Sequence, residues 1–215
     1  MKKRIKNWKN IIIGGLFALA SISPIKANAL DGHIRYIHPI ESPKGDYVEL
    51  NTFYKLPFEI NGFSWGDMYQ GGDGYFGETN LEREVINGFN IKSQVQHNNT
   101  PINRVGFGIS RQVPTPKGTF FKLSAFPIWY DSEGRQKNTS EVAYFGEARL
   151  PYGFTLESFG DWNLADTEGV QWGYGELDLG RVVAKGVRLS YNPALLNKGD
   201  VIPRIENRVA VRINF

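Results

Sequence analysis

The chain has no cysteine, so it forms no disulfide and offers no thiolate to a metal. Its cohesion has to come from packing and backbone pairing. Helical periodicity is missing after Leu30, and no stretch there approaches the roughly 20 apolar residues of a membrane helix. If this part of the chain enters a bilayer, it does so as strands. Histidine is scarce, with only His33, His38 and His97 in 215 residues. No Gly-rich loop stands between a strand and a helix, which leaves phosphate-loop chemistry without support.

An excess of positive charge is absent as well, once residues 1–29 are set apart. That segment holds Lys2, Lys3, Arg4, Lys6 and Lys9, an apolar run from Ile11 to Ile22, and the small-x-small sequence Ala27-Asn28-Ala29. It is expected to be a cleaved export signal, because so short an apolar run does not cross about 30 Å of hydrocarbon comfortably. It carries six of the 25 basic residues and no acidic one. Residues 30–215 then hold 19 basic and 22 acidic residues, a net of −3. Bulk charge gives no reason to expect a nucleic-acid partner.

What is present is period-two alternation, cut by clusters of Gly, Pro, Asn and Asp. In the last segment Ile205, Val209, Val211, Ile213 and Phe215 share one face, while Glu206, Arg208, Arg212 and Asn214 share the other. Five turns share a form, a short polar or Pro/Gly connection followed at once by an aromatic or β-branched residue. They are Val85–Phe89, Pro114–Thr119, Leu150–Phe154, Val183–Val187 and Lys55–Phe58. Longer polar connections alternate with them, near Gly71–Gly74, Asn98–Asn103, Asp131–Ser140, Leu164–Gly169 and Leu196–Pro203. The expected fold is all-β, a membrane-spanning antiparallel up-and-down β-barrel occupying residues 30–215.

Counting back from Phe215, the expected strands are Arg204–Phe215, Val187–Leu195, Val170–Arg181, Phe154–Asn163, Glu141–Leu150, Thr119–Tyr130, Arg104–Val113, Phe89–His97, Tyr75–Val85, Phe58–Met68 and Tyr47–Lys55. Single-chain barrels have even numbers of strands, so a twelfth is expected at Gly32–Ile40. Ten is the alternative if one early segment lies outside the wall. A terminal strand ending on Phe215, behind an export signal, resembles the assembly signal of outer-membrane barrels. It makes the barrel-assembly machinery and outer-membrane lipid the expected partners.

Taking the apolar face as outward puts residues such as Phe107, Ile109, Leu123, Trp129, Tyr144, Trp162, Leu179, Leu189 and Tyr191 against lipid. The other face mixes charges of both signs with large aromatics: Glu49, Phe53, Lys55, Glu59, Phe63, Trp65, Asp67, Lys92, Lys122, Phe126, Phe145, Glu147, Arg149, Glu157, Phe159, Asp161, Trp172, Tyr174, Glu176, Asp178, Arg188, Arg208 and Arg212. Such a lining can stack flat solutes while its charged groups bind polar substituents, which suits a small amphipathic molecule such as a nucleoside. The candidate substrate-binding residues are Phe53, Phe63, Trp65, Asp67, Phe159, Trp172, Tyr174 and Glu176. The alternative is a closed structural or adhesive barrel acting through the loops Asp131–Ser140 and Leu196–Pro203.

The stretch from Tyr47 to Asp67, with its Tyr-x-Glu start, Phe53, Lys55 before a short aromatic turn, and Gly62-Phe63 before Asp67, resembles the early hairpin of the nucleoside-specific, Tsx-like outer-membrane channels. Leu81-Glu82-Arg83-Glu84 is more loosely similar to an acidic-and-arginine strand of that family. The resemblance implies a twelve-stranded monomeric barrel with a narrow nucleoside-binding pore, and it carries roles onto Phe53, Phe63 and Asp67. An enzyme is not expected: His97 has no serine nearby in a nucleophile pattern. A metal site from His33 and His38 with Asp31 and Glu41 has only weak spacing. No cofactor is expected.

Overall fold

The computed structural model describes residues 30–40, 45–69, 75–98, 104–137, 139–165, 169–197 and 204–215. The expected export signal, residues 1–29, lies outside them, as do parts of the longer connections. Twelve wall strands follow in chain order: β1 (Leu30–Pro39), β2 (Tyr47–Leu56), β3 (Ile60–Tyr69), β4 (Tyr75–Ile86), β5 (Phe89–Asn98), β6 (Arg104–Val113), β7 (Thr119–Tyr130), β8 (Thr139–Arg149), β9 (Phe154–Ala165), β10 (Gly169–Ala184), β11 (Val187–Tyr191 and Ala194–Leu196) and β12 (Arg204–Glu206 and Arg208–Asn214). Each pairs antiparallel with the next, and β1 pairs with β12 from His33↔Asn214 to Pro39↔Arg208. The sheet closes on itself as a twelve-stranded barrel. Among the described residues each of the twelve wall strands is paired on both sides, as a sheet surrounded by hydrocarbon requires.

The short connections show why each strand reverses where it does. Asn87 and Gly88 both take positive φ, the geometry of a two-residue hairpin turn. Pro57 and Pro151 each open a single 3-10 turn whose next residue, Phe58 or Tyr152, is left-handed. For this reason β3 begins at Ile60 rather than at Phe58, and Glu59 is an exposed turn residue instead of a lumen group. The two-part forms of β11 and β12 come from breaks at Asn192-Pro193 and Asn207.

Alternation sorts the wall as a barrel should. Ile34, Ile91, Phe107, Ile109, Leu123, Leu179, Leu189, Val209 and Ile213 project outward and exposed from β1, β5 to β7 and β10 to β12. So extensive an apolar surface far exceeds the patches soluble monomers tolerate and matches a bilayer-facing belt. The inward set is polar and buried, with Arg35, Glu49, Asn51, Asp67, Gln94, Glu176, Asp178, Arg188 and Arg212 among it.

Two tryptophans lie on the face opposite to expectation, and both lie next to a β-bulge. The register of β6 with β7 shifts between Phe107 and Ile109, so Trp129 lies inward, packed against Phe126 at 5.6 Å and over Gly106. Only glycine at 106 leaves room for that indole, since a Cβ there would sit 2.9 Å from it. The register of β9 with β10 shifts between Gly160 and Trp162, pairing Trp172 with the outward Trp162 in an edge contact at 5.0 Å. Trp172 is thus on the outer wall and cannot line the lumen. An extra residue in one strand inverts the parity of everything beyond it, and simple alternation does not register this.

Candidate functional site

The lumen has two unlike walls. On β10, β11, β12 and β1, with Glu157 from β9 and Glu49 from β2, inward charges form one chain of alternating sign. Glu206 pairs with Arg208 at 2.8 Å, Arg208 with Glu176 at 2.9 Å, and Glu176 with Arg35 at 2.8 Å. Arg35 reaches Asp178 at 3.5 Å, Asp178 meets Arg188 at 2.6 Å, Arg188 meets Glu157 at 3.2 Å, and Glu157 meets Arg212 at 2.7 Å. Arg212 holds Glu157 with both terminal nitrogens, the fork geometry suited to a carboxylate. Arg35 also donates to Glu49 at 2.8 Å, so one guanidinium serves three carboxylates.

The strand register produces this chain. Arg35 stands opposite Glu49 on one side and Arg212 on the other, Arg212 opposite Arg188, and Glu157 opposite Asp178. Like charges that face each other directly are each relieved by an opposite charge one to three strands away: Arg35 by Glu49 and Glu176, Arg212 by Glu157, and Asp178 by Arg188. Tyr174 and Asn192 complete it by donating to Glu176, and Ser190 donates to Asp178. Arg208 stacks over the rings of Tyr47 and Tyr174.

The facing wall, β3 to β8, is built from rings. Phe53 at the edge of β2 stacks on Phe63 at 4.9 Å, Trp65 packs on Phe76 at 5.1 Å, and Phe120 on Phe145 at 5.9 Å. Phe159 meets Tyr174 at 5.7 Å where the walls join. Ion pairs are fewer here among the described residues: Lys122 pairs with Glu82, which also accepts from Ser110, while Lys92 donates to Ser124 and lies over Phe126. Phe53 and Phe145 are 46% and 40% exposed although their register points them inward. The space in front of them is open.

The structure therefore brings Phe53, Phe63, Trp65 and Asp67 together on the β2–β3 hairpin, and Phe159, Tyr174 and Glu176 on β9–β10. Asp67 stands opposite Glu49, buried, and among the described residues its Oδ1 has no hydrogen-bond partner. Sequence reasoning missed Arg35, Glu78, Glu82 and Glu141 as lumen residues. Arg35 had a signal, as the one charge between Ile34 and Tyr36-Ile37 in a strand expected on parity alone. His33 and His38, five apart, fall on opposite faces of β1: the ring of His33 lies 6.3 Å from inward Phe53, and His38 binds Asp46 at 2.6 Å. Among the described residues no group of three His, Asp or Glu side chains has metal-binding geometry.

No protein-family model matches the sequence, and no curated protein matches it. Solved structures do. The NanC porin superposes with a TM-score of 0.58 at 12% identity, covering 87% of this chain and 99% of its own. The KdgM porin in complex with disordered oligogalacturonate gives 0.57 at 10% identity, covering 86% and 99%. An active-site mutant of the outer-membrane phospholipase A from Escherichia coli gives 0.52 at 12% identity, covering 90% and 92%. The fold is that of a bacterial outer-membrane barrel. At these identities the likeness extends to architecture, and the lumen chemistry has to be read from this chain's own residues.

Proposed function

We propose that the protein is a passive channel of the outer membrane for small solutes, and that nucleosides are the class its lumen suits. The observation that carries this reading is the exposure of inward-facing Phe53 and Phe145. Rings that line an open path offer flat faces to a nucleobase, while the neighbouring Asp67, whose Oδ1 no group among the described residues bonds, accepts a hydrogen bond from a ribose hydroxyl. Phe53, Phe63, Trp65 and Asp67 form the first contact surface and Phe159 and Tyr174 the second; Glu176 is taken up by Arg35 and Arg208, and Trp172 lies on the outer wall. The porin architecture of NanC and KdgM supports diffusion as the activity, and the Tsx-like character of residues 47–67 supports the choice of solute.

In this reading the export signal is removed after Ala29, the barrel works as a monomer without a cofactor, and the β12 strand ending at Phe215 engages the assembly machinery. The backbone of Phe215 bonds Gly32 of β1 at 3.0 Å, at the seam where the barrel closes. A second reading, a closed structural or adhesive barrel working through its loops, is favoured by the burial of the ion-pair chain. Planar-bilayer recording separates the two. The channel reading expects discrete conductance steps, reduced by added nucleoside and insensitive to a sugar of similar size. Correctly folded protein that stays silent would leave the closed barrel standing.

A further inference from the structure

The outer wall carries a feature that solute passage does not use. A groove of about 560 Å³ crosses β10, β11, β12 and β1 on their lipid-facing side. Its banks are two parallel rows of register partners: Leu179, Tyr191 and Val209 form one, Arg181, Leu189 and Val211 the other. Its floor is the backbone of Gly180, Ser190 and Ala210, which are themselves in register and send no side chain outward. Four strands at about 4.8 Å spacing make it roughly 14 Å long.

The charge on this groove is unevenly placed. Arg181 stands at the β10 end, its guanidinium 5.6 Å from the ring of Phe154, three residues from the end of β10 at Ala184. Phe154 is the first residue after the Pro151–Gly153 turn, and Arg181 is its cross-strand partner. The same arrangement recurs at Phe89 and Arg111, where the separation is 4.4 Å. Short turns mark the periplasmic end of such barrels, and an outward arginine near them sits at headgroup depth. The Arg181 pair opens onto the groove. From there the groove runs along the wall to Tyr36 on β1, six residues into its strand.

We propose that this groove binds one anionic phospholipid of the periplasmic leaflet, with its phosphate on Arg181 and an acyl chain lying between the two rows. The charge complementarity selects the occupant: a second copy of the chain would have to bury Arg181 against an apolar belt, whereas a phosphate meets it with a paired charge. The groove supplies an apolar slot with the Arg181 guanidinium at one end and the His38–Asp46 pair at the other. The inference rests on the barrel spanning the outer membrane and is independent of conduction.

The test is native mass spectrometry of the barrel extracted in mild detergent, washed free of lipid and titrated with phosphatidylglycerol or phosphatidylcholine. One phosphatidylglycerol is expected to remain bound in preference to phosphatidylcholine. Arg181→Gln, which removes the charge, and Leu189→Trp, which fills the slot and keeps the charge, should each lower that occupancy about tenfold. Arg111→Gln should leave it unchanged. Heat-modifiable gel migration identifies folded variants, so a misassembled one is not mistaken for a weak binder. Equal retention of both lipids, wild-type occupancy in both groove variants, or a dimer mass in place of the lipid adduct would overturn the proposal. A silent bilayer recording would sink the channel reading and leave this result readable.

Discussion

The two walls of the lumen obey the same alternation and do opposite things. On β10 to β12 and β1, arginines and carboxylates neutralise one another across up to three strands, and Arg35, Glu176, Asp178, Arg188 and Arg208 end up nearly sealed from solvent. On β3 to β8 the inward positions hold rings and charges that form fewer ion pairs among the described residues, and some of the rings remain accessible. An inward polar face is therefore not one kind of surface. Where opposite charges can reach each other it becomes a strut, and where they cannot it becomes a wall that a solute can touch.

The comparison is broken most severely at its charged centre. Arg35→Ala leaves Glu49, Glu176 and Asp178 buried without their shared cation, and should cost about 3–5 kcal/mol in urea unfolding of the detergent-refolded barrel. Phe126→Ala on the other wall empties a fully buried site beneath Trp129 and should cost about 3 kcal/mol in the same assay. Near-equal stability of Arg35→Ala and wild type would mean that the ion-pair chain is not a strut. Phe53→Ala should leave stability within about 0.5 kcal/mol, because the ring is half exposed. It should weaken nucleoside block of the conductance several-fold, as expected for losing an aromatic contact of about 1 kcal/mol.

The smallest effect is expected outside the membrane, in the loop after β7. The amide and guanidinium of Arg135, the ammonium of Lys137 and the amide of Glu133 all bond the Asp131 carboxylate and hold its carboxyl well below the usual range. Because the folded-state value is lowered, this contribution is fully present above the ordinary carboxylate range and is lost only as pH falls through the lowered value. Amide protection at Glu133 and Arg135 should hold from neutral pH down to about pH 4 and collapse in Asp131→Ala at either pH. Protection that fades near pH 4 would contradict the assignment.

Much of the wall was legible in the sequence because strand starts carry their own chemistry. Tyr47, Tyr75, Phe89, Arg104, Thr119, Phe154, Val187 and Arg204 each begin a strand where the turn signals placed it. Parity after a bulge was not legible, since Gly108 and Gly173 look like any other glycine until their partners are known, and Trp129 and Trp172 were assigned to the wrong faces as a result. The ion-pair chain was hidden for a different reason. Arg35, Glu176 and Arg208 lie more than 30 residues apart in sequence, and only closure of the barrel sets them side by side.

The absence of cysteine makes the central claim directly measurable, since any introduced thiol is the only one in the protein. Phe145→Cys on the ring-lined wall and Ser190→Cys on the charge-locked wall should be compared for reaction with a water-soluble maleimide in a bilayer, with conductance recorded throughout. The thiol at 145 should react quickly and reduce the current, and the thiol at 190 should stay protected with the current unchanged. Equal reactivity of the two, or labelling at 145 that leaves the current untouched, would contradict a solute path along the aromatic wall.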